Sequence, residues 1–161
     1  GIGLAIATRL ASEGAKVLVV DNNPDEASAA IATLRGEGAT AELCIADISQ
    51  RVEVDAAVAR AVEHWGKLDI LACSAGLMDR EPFLEMTDAL WHRVIDTNLY
   101  GGFLCGQIAA RQMVKQGNGG RIRLRRLQFR HLRRAGPRGL WRQQGGNHQP
   151  DPVHGHRTGG A

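Results

Sequence analysis

The run Val17-Leu18-Val19-Val20 is the feature that most constrains the fold. It is short, β-branched and continuous, bounded by Lys16 and Asp21. A strand with one wet face would alternate apolar with polar residues, so this run suits a strand covered on both faces. Its neighbours supply the covers. Before it, Ile2, Ile6 and Leu10 fall four apart on one helical face, and Gly14 can end that helix. After it, Asn23 can cap a helix with Pro24 at its first position and Asp25 and Glu26 in its first turn. Ala27, Ala30, Ile31 and Leu34 line one side, and the helix should stop by Gly36 or Gly38.

The alternation continues. AELCIAD (41–47) reads as a second strand, and Ser49 can cap a helix that carries Val54, Val58 and Val62. LDILACSAG (68–76) reads as a third strand running into a small-residue turn. Thr87 can cap a helix with Leu90, Val94 and Ile95; Leu104, Ile108 and Met113 continue helically to Gly117. Strands alternating with helices predict an α/β fold, a Rossmann-like doubly wound parallel sheet. The chain opens on a glycine turn entering a helix, so a strand before Gly1 is expected to be missing and the sheet to be incomplete.

Charge divides the chain. The net +3 combines 1–122, with 11 Lys+Arg against 16 Asp+Glu, and 123–161, with nine Arg, no Lys and one acid, Asp151. The second segment also lacks Ser, Tyr and Ile. The boundary therefore falls between a partial α/β domain, 1–122, in which the readings below expect dinucleotide binding, and an irregular Arg-rich C-terminal tail, 123–161. No apolar run approaches the roughly 20 residues of a membrane span, and no stretch reads as a secretory signal. Three Cys without a CxxC make disulfide and zinc frameworks weak readings, which leaves the cytoplasm as the expected compartment.

Gly1-Ile2-Gly3 can be the end of a phosphate-binding turn, where glycine lets backbone approach a pyrophosphate at a helix N-terminus. Taken alone, it reads better as the start of a small-residue helix. Asp21 ends the following strand, 18 residues after Gly3. A carboxylate there can accept from an adenosine ribose and repel a 2′-phosphate, favouring NAD over NADP, or be a surface turn residue.

Further along, ordered motifs resemble the short-chain dehydrogenase/reductase family. GIG is similar to the end of its TGxxxGxG motif, and Asp47-Ile48 to the Asp-Val/Ile that flanks the adenine. LDILACSAG resembles LDxLVNNAG, HRVIDTNLYG the helix carrying the family's Asn (here Asn98), and NGGRI (118–122) the approach to the next strand. The resemblance covers 1–122. It implies hydride transfer between a nicotinamide and a small alcohol or ketone. It also implies cofactor contacts at Gly1, Ile2, Gly3, Asp21, Asp47, Ile48, Ala75, Gly76 and Asn98, with Asn98 also in the catalytic set. The family's sheet has seven strands, of which this chain would supply the second to fourth and a stub of the fifth. A homo-oligomer is implied for the parent enzyme.

Two departures matter. Cys73 and Ser74 stand where NNAG has its Asn pair. The family's Tyr, the Lys four residues later and the Ser are absent: the sole Tyr is Tyr100 with Leu104 four residues on, the last Ser is Ser74, and no Lys follows Lys115. Such acid–base work needs these groups within hydrogen-bond reach of one another, so the chain as written is expected to be inactive.

The tail can carry the missing set in another reading frame. One nucleotide later, Leu140-Trp141 permits Tyr, Gln144-Gly145 permits Lys, and Leu127 and Gln128 permit Ser-Ser, with the first Ser thirteen places before the Tyr. Arg123 permits the Val that continues R-I-V. A one-nucleotide slip at or after Ile122 is therefore expected, with an out-of-frame, disordered tail. A basic arm that binds nucleic acid is the competing reading, but one aromatic (Phe129) and no motif accompany the Arg cluster, so no specific nucleic-acid partner is expected. A non-catalytic dinucleotide-binding module is a third reading. His148, His154 and His156 match no metal-site spacing, and no metal is expected.

Overall fold

The structure is a computed structural model and describes residues 1–78 and 81–124. The tail readings at Leu127, Gln128, Phe129, Leu140, Trp141, Gln144, Gly145, His148, Asp151, His154 and His156 lie outside the described residues.

Helix α1 (Ile2–Ser12) leads to strand β1 (Val17–Asp21), then α2 (Pro24–Gly36) and β2 (Ala41–Ile45). Next come α3 (Arg51–Trp65), β3 (Ile70–Cys73) and α4 (Asp88–Ile95). A π-helical turn (Asp96–Gly101), α5 (Gly102–Gln116) and β4 (Arg121–Leu124) follow. Strand β4 runs two residues past Ile122, where the composition changes.

Several starts and stops follow local chemistry. Asn23 Oδ1 accepts from the Asp25 and Glu26 N–H groups, and Pro24 occupies the first turn of α2. Thr87 Oγ1 accepts from Leu90 N–H at 3.2 Å and starts α4. Ser49 does not cap α3. Gln50 holds that position without a side-chain bond, and Glu53 reaches back to the Asp47 N–H at 2.7 Å instead. Asp47 Oδ1 holds the Ser49 N–H, so the turn is closed from both sides and Ser49 is not needed as a cap.

The strands form two parallel pairs. β1 pairs with β2, Val17 opposite Ala41 and Asp21 opposite Ile45. β3 pairs with β4, Ile70 opposite Arg121 and Cys73 opposite Leu124. Alternate residues of the first pair face opposite ways. Val17, Val19, Ala41 and Leu43 pack with Ile31 and Leu34 of α2 and Leu4, Ala7 and Ala11 of α1. Leu18, Val20, Cys44 and Ala46 pack with Ala57 of α3. A third cluster joins Val54 of α3 to Leu104, Cys105 and Ile108 of α5, with Ile48, Val58, Leu71 and Cys73 against it. Helices thus cover both faces of β1–β2, the doubly wound arrangement expected of a continuous β-branched run.

The face of α1 differs from the expected one. Leu4, Ala7 and Ala11 pack against the sheet, whereas Ile2 of the Ile2–Ile6–Leu10 row is half exposed. Neither row is fully buried, and at 3.6 residues per turn the two are centred roughly 130° apart around the helix. The sheet is incomplete: among the described residues β1 pairs only with β2, and β3 only with β4. No residue of β1 is fully buried, although the strand is apolar through Val20. One ladder partner leaves the other side of a strand open.

Candidate nucleotide-binding site

The residues singled out in the sequence collect beyond the carboxyl ends of the strands. Asp21 is the last residue of β1, and its carbonyl accepts from the Ala46 N–H at 3.0 Å, just past β2. Asp47 and Ile48 follow β2, and Ala75 and Gly76 follow β3. Helix α1 packs against both β1 and β3, which sets its N-terminal glycines beside the turn after β3. The contact is close: a Cβ on Gly3 would lie 2.8 Å from Ser74 Oγ. A side chain at Gly3 would have to displace the Ser74 hydroxyl. Gly1 has open space around it and caps the helix, its carbonyl accepting from Ala5 N–H at 3.2 Å. The first-turn N–H groups of α1 have no partner within the helix and carry the positive end of its dipole.

Asp21 uses one carboxylate oxygen locally, with Oδ1 accepting from the Asn23 N–H at 3.0 Å. Its second oxygen can accept from a ribose hydroxyl. Asp47 is committed to its own turn through the Ser49 and Glu53 bonds. Ile48 packs into the cluster of α3 and α5 and against Gly101, where a Cβ would lie 2.8 Å from the Ile48 side chain and 3.2 Å from its carbonyl oxygen.

Asn98 sits in the π-helical turn and spans to the chain after Gly76. Its Oδ1 accepts from the Leu77 N–H at 2.7 Å, and its Nδ2 donates to the Leu77 carbonyl at 2.8 Å. The amide therefore mimics a strand neighbour and fixes the backbone that leaves the glycine turn. The wider π turn is a common device at functional sites, because it re-aims a side chain without breaking the helix. Gly101 ends this turn against Ile48, which ties the turn after β2 to the helix that positions Asn98.

Four features escaped the sequence reading. Glu53 had only a partial signal, standing at the third helical position as in a capping box but reaching the Asp47 N–H rather than that of the Gln50 cap. The Ser74–Gly3 approach, the π turn and the Leu77 backbone as the partner of Asn98 had none. Each depends on segments far apart in sequence or on a one-residue change of helical register.

A parallel sheet with helices on both faces, glycines at a helix N-terminus and an acidic strand end define a dinucleotide-binding α/β unit. The short chain dehydrogenase family profile matches residues 1–123, and the chain belongs to that family. A short-chain dehydrogenase/reductase of Armillaria gallica is 41% identical over 124 residues, covering 76% of this chain and 48% of its own length. Among solved structures, a short-chain type dehydrogenase/reductase from Mycobacterium marinum superposes with a TM-score of 0.73 at 34% identity, covering 76% of this chain and 49% of the other. The F189W actinorhodin polyketide ketoreductase with NADPH gives a TM-score of 0.71 at 35% identity, covering 76% and 47%. The chain spans about half the length of the curated relatives it matches. The family match, like β4, reaches past Ile122. No described helix is long and apolar enough to cross a membrane.

Proposed function

We propose that this chain is the nucleotide-binding part of a cytoplasmic, homo-oligomeric oxidoreductase that moves a hydride between NAD and a small alcohol or ketone. The observation that carries the reading is the convergence of Gly1, Ile2 and Gly3, Asp21, and Ala75 and Gly76 beyond the strand ends, on a chain of this family. The residues fit the cofactor in parts. The open space at Gly1 and the free first-turn N–H groups suit a pyrophosphate. The second Asp21 oxygen suits the adenosine ribose and repels a 2′-phosphate, which supports NAD over NADP. Ile48 walls the adenine side, while Asp47 acts by holding the turn. Ala75 and Gly76 leave room for the nicotinamide ribose, and Asn98 steadies the chain that follows them. When bound, the cofactor would supply the hydride acceptor.

The chain as written lacks the family's Tyr, Lys and Ser, so we further infer that it does not turn over substrate. The residues after Ile122 permit codons that encode that set one nucleotide later. The slip reading stands on the YxxxK spacing together with the Ser thirteen places before the Tyr. It makes the tail a poor candidate for a nucleic-acid arm.

Calorimetry and a coupled assay on the purified chain test the first reading together. NAD is expected to bind more tightly than NADP, the preference is expected to fall in Asp21→Ala, and no NADH is expected to form with any simple alcohol. Turnover of NAD would overturn the inactivity. Equal affinity for the two cofactors in both variants would remove the role of Asp21. Sequencing the gene through the codons of 120–145 tests the slip. A TAT across the Leu140–Trp141 junction is required, and any other triplet there ends the argument.

A further inference from the structure

Cys73 ends β3, and Cys105 lies on α5 in the buried cluster of Val54, Leu104 and Ile108, against which Cys73 packs. The two thiols face one another across the strand–helix interface, close enough for each to shift the other's ionisation. Cys73 is half buried at the mouth of the turn, and Cys105 is buried behind it. That is the layout of an outer thiol that an oxidant can reach and an inner thiol that can resolve it. The third cysteine, Cys44, is buried in a different cluster, between β2 and α3.

We propose that Cys73 and Cys105 form an oxidation site, a dithiol that a peroxide converts into an intramolecular disulfide joining β3 to α5. The Cys73 thiolate attacks one oxygen of hydrogen peroxide. An S–O bond forms, the O–O bond breaks, and hydroxide leaves, giving the sulfenic acid at Cys73. The Cys105 sulfur then attacks the Cys73 sulfur. The S–S bond forms as the S–O bond breaks, the Cys105 proton leaves with that oxygen as water, and two electrons in all have passed to the peroxide. Local chemistry favours Cys73 as the attacking group. Its thiol is lowered to about 7, first by the hydrogen bond from Cys105 and further by the Ala75 N–H, against the upward push of burial. Cys105 is pushed far up by the same hydrogen bond and by burial, so it stays protonated until Cys73 has reacted.

The bridge would enclose residues 74–104, and with them Ala75, Gly76 and Asn98. Oxidation at this point therefore bears on the turn beside Gly3, whether or not that turn binds a nucleotide.

The test is peptide mapping of the full 161-residue chain after hydrogen peroxide at neutral pH, with alkylation and tryptic digestion under non-reducing conditions. Lys67, Arg80, Arg93 and Arg111 put Cys73 and Cys105 on separate peptides, and Cys44 on a third. A Cys73–Cys105 cross-link that dithiothreitol reverses, with Cys44 still alkylatable after denaturation, is the expected result. In Cys105→Ser that cross-link is lost and dimedone labels Cys73, at least about tenfold above its labelling in the unsubstituted chain. A cross-link through Cys44, or two free thiols after excess peroxide, overturns the proposal. So does over-oxidation of Cys73 as fast with Cys105 present as without it. The unsubstituted chain alone decides between the first outcomes, so a variant that fails to fold leaves the test intact.

Discussion

At the residue scale, Asn98 shows how one amide can do a strand's work. Both halves of its side chain are used on the backbone N–H and C=O of one residue, Leu77, which has no ladder partner of its own among the described residues. Removing it in Asn98→Ala should cost about 1 kcal/mol, because water can reach this exposed site and replaces part of the loss. Asn98→Asp should cost at least as much, since the second carboxylate oxygen would face the Leu77 carbonyl with no proton between them. Urea unfolding followed by circular dichroism checks both. An Asp variant as stable as the parent would show that the amide does not bridge both groups. The identity of position 98 was legible in the sequence through its resemblance. Its partner was not, because the bond joins residues 21 apart through backbone atoms that leave no mark on side-chain pattern.

At the scale of elements, helix α2 shows a sequence that agrees with itself at every level. Its cap, its first-turn proline and acids and its buried stripe all fall where the spacing puts them. Leu34 is fully buried between α1 and the first strand pair. Leu34→Ala should destabilise by roughly 2–5 kcal/mol, and Thr87→Ala, which removes only the cap of α4, by about 1 kcal/mol. Midpoints of urea unfolding should rank the two in that order. If they are equal, the α1–α2–sheet cluster is not a packed core. Helices α1 and α3 were harder to read. In α1, apolar residues occupy two separate rows, so periodicity alone cannot say which row meets the sheet. In α3, Val54 and Val58 turn toward α5 while Ala57 turns toward β2, so one valine row describes only half of what the helix buries.

At the scale of the molecule, two parallel pairs stand where one sheet is expected. β1 and β3 each offer one unpaired side among the described residues. Large apolar side chains are also open to solvent after β3 and along α4 and α5. Leu84 is 95% and Phe83 83% exposed, joined by Leu99 and Phe103. Open edges and apolar patches together favour association with other copies. Light scattering of the purified chain should rise with concentration, and mild denaturant should suppress it. A monodisperse solution at high concentration would show that the edges are protected.

The sequence by itself determined the alternation of strands and helices, the identity of most caps, the carboxyl-end positions of Asp21, Ala75 and Gly76, and the family. These depend on spacing and on residue chemistry within a turn or two, which a linear pattern records. It also carried the break in composition past Ile122 and the absence of the Tyr, Lys and Ser. Tertiary structure alone decided which row of α1 meets the sheet, that Gly3 touches Ser74, that Asn98 holds Leu77 and that Cys73 meets Cys105. Those contacts arise when parallel strands are brought side by side by crossing helices. The neighbours are then set by how the layers pack, which no local pattern encodes.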